Sequence, residues 1–249
     1  FAASSRLPAR VRKLPCNVER WSDPIPMIGT NTNCLVVSPT GGLTTLKDII
    51  ALARAKPGQL AYASTGDGGF NHFGGELINK VAGVNLVHVP YKGGGPAMID
   101  VMGGQVSMMF SSVTQTLPHV RAGRLKLIAV GSQKRVSTVP DIPTFAEAGL
   151  PGYEIYGWWG ITAPAGVPRD IRAKLSKSFG EILRKSEARE RLQFEAAEPR
   201  EMEPEEMRRF IRDEVRKWTE VAKGARIQVN SQPCLGVPRS MKKKWTFLR

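Results

Sequence analysis

Apolar residues in this chain occur either in short continuous runs or in longer stretches with helical spacing. Runs of four to six residues, typical of buried strands, lie at 34–37, 59–63, 85–89, 105–110 and 125–130. Between them, apolar residues recur every three or four positions, as on one face of a helix. Over residues 40–131 this alternation predicts an α/β fold with a mostly parallel sheet and helices on its faces.

The second half of the chain predicts two long amphipathic helices after an aromatic strand at 153–161. Each helix opens on a proline, Pro168 and Pro204. Both apolar stripes are predicted to face inward: Ile171, Leu175, Phe179 and Ile182 in the first helix, and Met207, Phe210, Ile211, Val215, Trp218 and Ala222 in the second. They need a sheet to cover, yet residues 1–32 offer only one weak strand candidate at 26–28. We therefore expect a second lobe that lacks strands.

The formal net charge of +14 would favour nucleic acid as a partner if it were spread over the fold. Residues 1–20 carry five Arg and Lys against one Glu, and residues 231–249 carry five against none. The 210 residues between them hold only +5. We expect no nucleic-acid partner and a disordered basic tail after residue 230.

Cysteine and histidine spacing predicts no metal site and no cofactor. The three cysteines form no Cys-x-x-Cys pair, and the three histidines have no metal-ligand spacing. His88 and His119 are expected to be packed or surface residues. No apolar stretch approaches bilayer length, so no membrane insertion is expected, and the first residues lack the features of a secretion signal.

Two glycine-rich turns, at 64–69 and 91–96, each follow a predicted strand and open a predicted helix. A helix start carries unpaired amide hydrogens and the positive end of the helix dipole, so it suits a carboxylate or phosphate. The expected donors are uncharged: the hydroxyls of Ser64, Thr65, Ser111 and Ser112, the amides of Gly66 to Gly69 and the side chain of Asn71. Asp67 would repel an anion unless it points away.

Sequence motifs favour binding over catalysis. No Gly-x-Ser-x-Gly motif is present, Asn71 replaces the last glycine of a dinucleotide fingerprint, and Lys92 precedes its glycines rather than following them. Tight turns with no ligand remain an alternative for both loops. An enzyme that uses His72 on a small acid also remains open, although no acid or nucleophile is paired with it.

Several motifs resemble the substrate-binding proteins of tripartite tricarboxylate transporters, the Bug or TctC-like family. The resemblance covers about residues 14–229. The matching segments are 62–68, 72, 75–77, 87–93, 103–106, 109–110, 140–144, 147–152 and 163–166.

This resemblance implies a two-lobed periplasmic-binding-protein architecture of type II, in the periplasm, that closes on a small carboxylate and delivers it to membrane transporter subunits. It implies that ligand contacts fall on Ser64, Thr65, Gly66, Asp67, Gly68, His72, Lys92, Gly93, Ser111, Ser112 and Trp158. Packing is an alternative role for Trp158 and a solvated rim position for Lys92. The family commonly has Asn at position 67.

The resemblance also divides the chain. Residues 1–33 correspond to a remnant of lobe 1, residues 34–152 to lobe 2 with the ligand loops, residues 153–230 to the rest of lobe 1, and residues 231–249 to an unmatched tail. We expect a monomer that is truncated at its N-terminus. A relic of the family that no longer binds is therefore an alternative. Citrate, an amino acid, nicotinate-like acids and terephthalate-like diacids all remain open as ligands.

Overall fold

The computed structural model describes residues 22–194 and 197–224. The predicted basic tail and most of the predicted N-terminal remnant lie outside the described residues. In chain order the elements are β1 (Ser22–Val37), α1 (Leu46–Ala55), β2 (Ala61–Ser64), α2 (Phe70–Ala82), β3 (Val87–Pro90), α3 (Gly94–Met102), β4 (Met108–Ser112), α4 (Val113–Arg121), β5 (Lys126–Val130), β6 (Tyr156–Pro164), α5 (Arg169–Leu183), α6 (Ser186–Phe194), β7 (Ala197–Pro199) and α7 (Pro204–Gly224).

Strand β1 joins two sheets. Its first part, from Ser22 to Thr32, pairs antiparallel with β6 and β7. Its second part, from Asn33 to Val37, pairs antiparallel with β4 and β5 in a sheet of order β3-β2-β4-β1-β5. Strand β2 is parallel to β3 and β4, so only β1 runs against the other four strands. The predicted α/β fold with a mostly parallel sheet is therefore confirmed.

The five-stranded sheet carries a core on each face, because successive side chains of a strand point to opposite sides. Leu35 and Val37 of β1 belong to the cluster under α1 and α2. Cys34 and Val36 belong to the cluster under α3 and α4. The predicted buried strands at 34–37, 59–63, 105–110 and 125–130 bury side chains on both faces for this reason. The prediction of a buried strand at 85–89 was wrong, because β3 lies at the edge of the sheet and its Val87 is 41% exposed.

Helix α7 packs against both sheets. Met207 and Ile211, near its start, lie in the cluster with Met27 and Trp158. Trp218 and other residues near its end lie in the cluster under α2. The inward stripe predicted for this helix is confirmed, with Phe210 and Val215 only partly buried.

Helix α5 departs from the prediction. Ile171, Leu175 and Ile182 of its predicted inward stripe are 48%, 40% and 48% exposed, and Leu183 is the buried residue of the helix. The packing partner that this stripe requires is not among the described residues. Within that part of the chain, no helix is long and apolar enough to cross a bilayer.

The partner change in β1 at Thr32 and Asn33 lies next to the predicted boundary between residues 33 and 34. The chain returns from the five-stranded sheet to the sheet of β6 and β7 where β6 begins. Just before this point, the Ile155 amide donates to the Gly131 carbonyl oxygen. The division into lobes, and the missing strands of one lobe, stay predictions.

Helix α2 approaches the sheet closely at one glycine. A Cβ on Gly75 would overlap the ring of Tyr62, which is fully buried. That ring cannot swing away freely, because its hydroxyl lies 2.8 Å from Glu76 Oε1 and 3.2 Å from the His72 carbonyl oxygen. We expect Gly75→Ala to lower the free energy of unfolding by about 1–3 kcal/mol or more through overpacking.

Urea unfolding followed by circular dichroism measures this effect. Gly95→Ala is the matched control, since a Cβ there meets nothing within 4 Å and alanine favours a helix. Equal stabilities for the two variants would contradict the packing argument.

Candidate functional site

Three helices begin at one edge of the five-stranded sheet. Strands β2, β3 and β4 run parallel and end there at Ser64, Pro90 and Ser112. The two predicted glycine loops follow β2 and β3 and lead into α2 and α3. Because ligand clefts in open α/β sheets form at the carboxyl ends of the strands, this edge is the candidate site.

The first glycine loop uses most of its own amides. Gly66 donates to Ser64 Oγ at 3.1 Å, Gly68 to His72 Nδ1 at 3.0 Å and Gly69 to the Gly66 carbonyl oxygen at 3.3 Å. These bonds give the loop its shape and leave the amides of Gly66, Gly68 and Gly69 with partners inside it. Contact of Gly66, Asp67 or Gly68 with a ligand stays a prediction.

The first turn of α2 offers amides that the loop does not use. Gly69 is the N-cap of α2 and makes no side-chain capping bond. The first helical bond runs from the Phe73 amide to the Gly69 carbonyl oxygen at 3.2 Å. The amides of Phe70, Asn71 and His72 precede it and have no acceptor within the helix. Together with the helix dipole, they suit an anion.

Neighbouring helices differ in how their first turns are satisfied. Helix α1 has a capping box in which the side chains of Thr45 and Asp48 accept from the helix start. Helix α4 is capped by the Ser112 hydroxyl, which accepts from the Gln115 amide. Helix α3, after Gly93, has no side-chain cap and no acid in its first turn. Both glycine loops therefore lead into uncapped helices.

Asn33 is a site residue that the sequence analysis missed. It is 2% exposed and lies where β1 changes sheets. Its Nδ2 donates to Asn71 Oδ1 at 3.4 Å, and its Oδ1 accepts from the Cys34 amide at 3.1 Å. This pair links the crossing strand to the start of α2. A polar residue inside a crossing strand has no sequence signal of its own.

The predicted serines of β4 lie beside this pair but have internal partners. Ser112 pairs with Asn33 in the sheet, and Ser111 pairs with Cys34. The Ser111 hydroxyl is buried and donates to Gln115 Oε1 at 3.0 Å. Contact of either hydroxyl with a ligand stays a prediction.

His88 is a second residue that the sequence analysis did not place in the site. Strand pairing sets Tyr62 beside His88 and Ser64 beside Pro90. His88 Nε2 lies 2.6 Å from Ser64 Oγ, and Nδ1 lies 3.6 Å from Asp67 Oδ1. The loop is therefore held to β3 by a side-chain hydrogen bond. Ser64 is fully buried, so its hydroxyl is no accessible nucleophile.

His72 faces inward from the first turn of α2. Its ring stacks on that of His88, with centroids 3.6 Å apart and planes at 15°. Burial, and next the charge that His88 carries when protonated, lower the pKa of His72 to about 4. Burial also lowers the pKa of His88. Both rings are thus neutral near pH 7. His72 Nδ1 accepts from the Gly68 amide, so Nε2 carries the hydrogen of the neutral ring. Contact of His72 with a ligand stays a prediction.

Four other predicted residues line the outside of the site. Thr65 and Asp67 are exposed on the first loop, and Lys92 is exposed on the second. Gly93 has φ of 121°, a conformation that favours glycine. A ligand contact at these positions stays a prediction.

Trp158 lies away from the glycine loops. It belongs to β6, is 9% exposed and meets Phe210 of α7 edge to face, with centroids 5.6 Å apart. This is the packing role that the sequence analysis named as its alternative. Its contact with a ligand stays a prediction.

A hollow of about 510 Å³ lies between α5 and residues 201–206. Its charged lining is partly self-paired, since Arg184 Nη2 lies 2.8 Å from Glu201 Oε2. The open amides of α2 are not part of its lining.

Comparison with known proteins shows which family this chain resembles. The family model described as "Tripartite tricarboxylate transporter family receptor" matches residues 1–226. Protein BugT of Bordetella pertussis is 32% identical over 207 residues, which cover 82% of this chain. The chain spans less than two thirds of that relative, 64% of its length.

Two solved structures are similar over most of the described fold. The structure of R. palustris Rpa4515 with adipate is 32% identical, covers 90% of this chain and 75% of its own, and has a TM-score of 0.76. MatC from Rhodopseudomonas palustris with bound malate is 27% identical, covers 86% of this chain and 74% of its own, and has a TM-score of 0.71.

The lowered pKa of His72 predicts how stability depends on pH. The unfolded chain takes up a proton near pH 6.5, while the folded protein resists until about pH 4. The contribution of neutral His72 to stability is therefore complete above pH 6.5, and it is lost as the pH falls from 6.5 to about 4. We expect the melting temperature of His72→Gln to fall less than that of the wild type between pH 7 and pH 5 in metal-free buffer.

His119→Gln is the control, since His119 lies on α4 and not in the glycine loop. It is expected to keep the wild-type slope. If His72→Gln also keeps that slope, the buried neutral state of His72 is contradicted.

Proposed function

The chain belongs to the tripartite tricarboxylate transporter receptor family, and from this premise we propose that it is a solute receptor for a small dicarboxylate. The ligand binds between the lobes, beside the start of α2, and no bond is made or broken. We further propose that the receptor works in the periplasm and delivers its ligand to membrane transporter subunits.

One observation carries the proposal: the uncapped first turn of α2 beside the crossing strand. The amides of Phe70, Asn71 and His72 present neutral donors, and Asn33 holds Asn71 against β1. Hydrogen bonds from neutral donors bind a carboxylate without a full opposite charge, which suits reversible binding. The exposed Thr65 beside this turn leaves the site open on the loop side.

Two similar proteins support a dicarboxylate as the ligand class. Rpa4515 has a structure with adipate, and MatC has a structure with malate. Both compounds carry two carboxylates on a short chain. In our proposal, the first turn of α2 binds one of these groups. The other is bound across the cleft, on the side of β6.

Closure of the lobes would use the two chain crossings as hinges. These lie at Thr32 and Asn33 in β1 and at Ile155 and Tyr156 before β6. A hinge needs only a few residues at the ends of elements to absorb the change in backbone angles. Because Asn33 contacts Asn71, opening and closing at the first hinge would be coupled to the ligand site.

A catalytic role for His72 is not part of this proposal. Its Nδ1 is occupied by Gly68, and its Nε2 lies 4.0 Å from Glu76 Oε1. The lone pair of Nδ1 is therefore not available as a base towards a ligand. The family consists of receptors by its description, which also supports a protein that is no enzyme.

Thermal shift tests the ligand class. Adipate and malate are added to the full chain over a range of concentrations, with the matching monoacids as controls. We expect the diacids to raise the melting temperature in proportion to the logarithm of ligand concentration, since they bind only the folded state. A folded protein that responds to none of the acids would contradict a working receptor and favour the relic alternative.

Asn71 allows the backbone and the side chain to be tested separately. Asn71→Ala removes the contact with Asn33, whereas Asn71→Pro also removes the amide, at a position where a helix tolerates proline. We expect the proline variant to bind about 10–100-fold more weakly than the alanine variant, because a hydrogen bond to a charged group is lost. Calorimetric titration measures the difference.

Lys47→Pro is the matched control. Lys47 holds the same second position in α1, far from the loops, and its substitution is expected to leave affinity unchanged. Equal affinities for the alanine and proline variants at Asn71 would contradict the role of the amide.

A further inference from the structure

The contacts of Ser64 fit either tautomer of His88. Ser64 Oγ accepts from the Gly66 amide at 3.1 Å, and its single hydrogen has two acceptors in reach, the Gly66 carbonyl oxygen at 3.1 Å and His88 Nε2 at 2.6 Å. When the hydroxyl donates to the Gly66 carbonyl oxygen, His88 Nε2 carries the hydrogen and donates to Ser64, and His88 Nδ1 is then a bare acceptor that can bind a metal ion.

In this tautomer two acceptors face each other, because His88 Nδ1 lies 3.6 Å from Asp67 Oδ1. Two such atoms repel each other unless a cation lies between them. Their separation is close to that of two ligands on one tetrahedral ion, roughly 3.4 Å for metal bonds of about 2.1 Å.

His72 supplies a third ligand atom in the same place. One ligand atom from each of Asp67, His72 and His88 lies within 4.8 Å of the other two. Within the part of the chain that the structure describes, this is the group of His, Cys, Asp and Glu side chains that meets the geometry of a metal site. The sequence analysis predicted no metal site, because these residues do not have metal-ligand spacing along the chain. Parallel pairing of β2 and β3 brings them together in the fold.

We propose that Asp67, His72 and His88 bind a divalent transition metal ion of the Zn²⁺ type. Two imidazoles and one carboxylate are a donor set that zinc prefers, and three protein ligands leave a fourth position open. The site lies at the mouth of the first glycine loop, where the exposed Asp67 admits the ion from solvent.

Each imidazole has a polar group near its other nitrogen. With a metal ion on Nδ1, His88 would carry its hydrogen on Nε2 and donate it to Ser64 Oγ, 2.6 Å away. His72 Nε2 lies 4.0 Å from Glu76 Oε1, beyond hydrogen-bond distance, so this carboxylate would have to move closer to become an outer partner. Such partners fix the tautomer and orientation of a ligating imidazole.

Binding would change two contacts of the loop. The rings of His72 and His88 are stacked, and they must open because a metal bond lies in the plane of each ring. A metal on His72 Nδ1 also replaces the hydrogen bond from Gly68, so this amide becomes free. The ion would thus add a positive charge and one donor amide to the anion site.

This gives Asp67 a role in a site for anions. Without an ion, its carboxylate repels a carboxylate ligand, whereas a metal-bound Asp67 is part of a group with net positive charge. The open fourth position would then accept a ligand oxygen. This coupling to the ligand rests on the proposed function, but the metal site itself does not.

Calorimetric titration of the chelator-treated full chain with Zn²⁺ alone tests the site. We expect one Zn²⁺ per chain, and at least tenfold weaker binding for Asp67→Asn and for His88→Gln. Asp141→Asn and His119→Gln are matched controls outside the loop and are expected to bind as the wild type does. Ser64→Ala, which removes an outer partner, is expected to bind about 10–100-fold more weakly.

The proposal is overturned if the wild type does not bind Zn²⁺, or if Asp67→Asn binds as tightly as the wild type. Asp67 is exposed, so its substitution carries the test even if His88→Gln does not fold. A second titration with malate, with and without Zn²⁺, separates the two proposals. Zinc binding without any response to acids would contradict the receptor alone, and a response to acids without zinc binding would contradict the metal site alone.

Discussion

Backbone amides at the start of a helix need hydrogen-bond acceptors. The proposed binding site depends on how this need is met at the start of α2. Gly69 supplies no capping side chain, while the preceding glycines use their amides to shape the loop. An acceptor for the amides of Phe70, Asn71 and His72 must therefore come from water or from a ligand. Strand β1 places Asn33 beside the start of α2, and it pairs with strands of both sheets.

A network of neutral side chains keeps this helix start in position. Ser64 ties the loop to His88 on β3, His88 stacks on His72, and His72 receives the Gly68 amide. Burial keeps both imidazoles uncharged near pH 7, so the network neither attracts nor repels an anion strongly. Asp67 is the charged exception, and its position 3.6 Å from His88 Nδ1 is where the proposed metal ion would bind.

Sequence patterns predicted most of the sheet and both glycine loops, because short buried runs and glycine turns are local features. They failed where a contact depends on distant parts of the chain. Asn33 and His88 reach the site only through strand pairing, and neither has a local signal. The amides of Gly66 to Gly69 looked available because loop hydrogen bonds cannot be read from composition. The stripe of α5 was expected inside, since amphipathic spacing predicts a buried face but not the partner that buries it.

Titration of the ¹⁵N-labelled full chain with malate or adipate, followed by amide chemical shifts, tests the central claim most directly. The account predicts that the largest shifts occur at the amides of Phe70, Asn71 and His72, because these donors gain a charged acceptor. The controls within the same spectrum are the amides at the start of α1, which the Thr45 and Asp48 capping box satisfies. Saturable binding that leaves the three amides of α2 unchanged would contradict it.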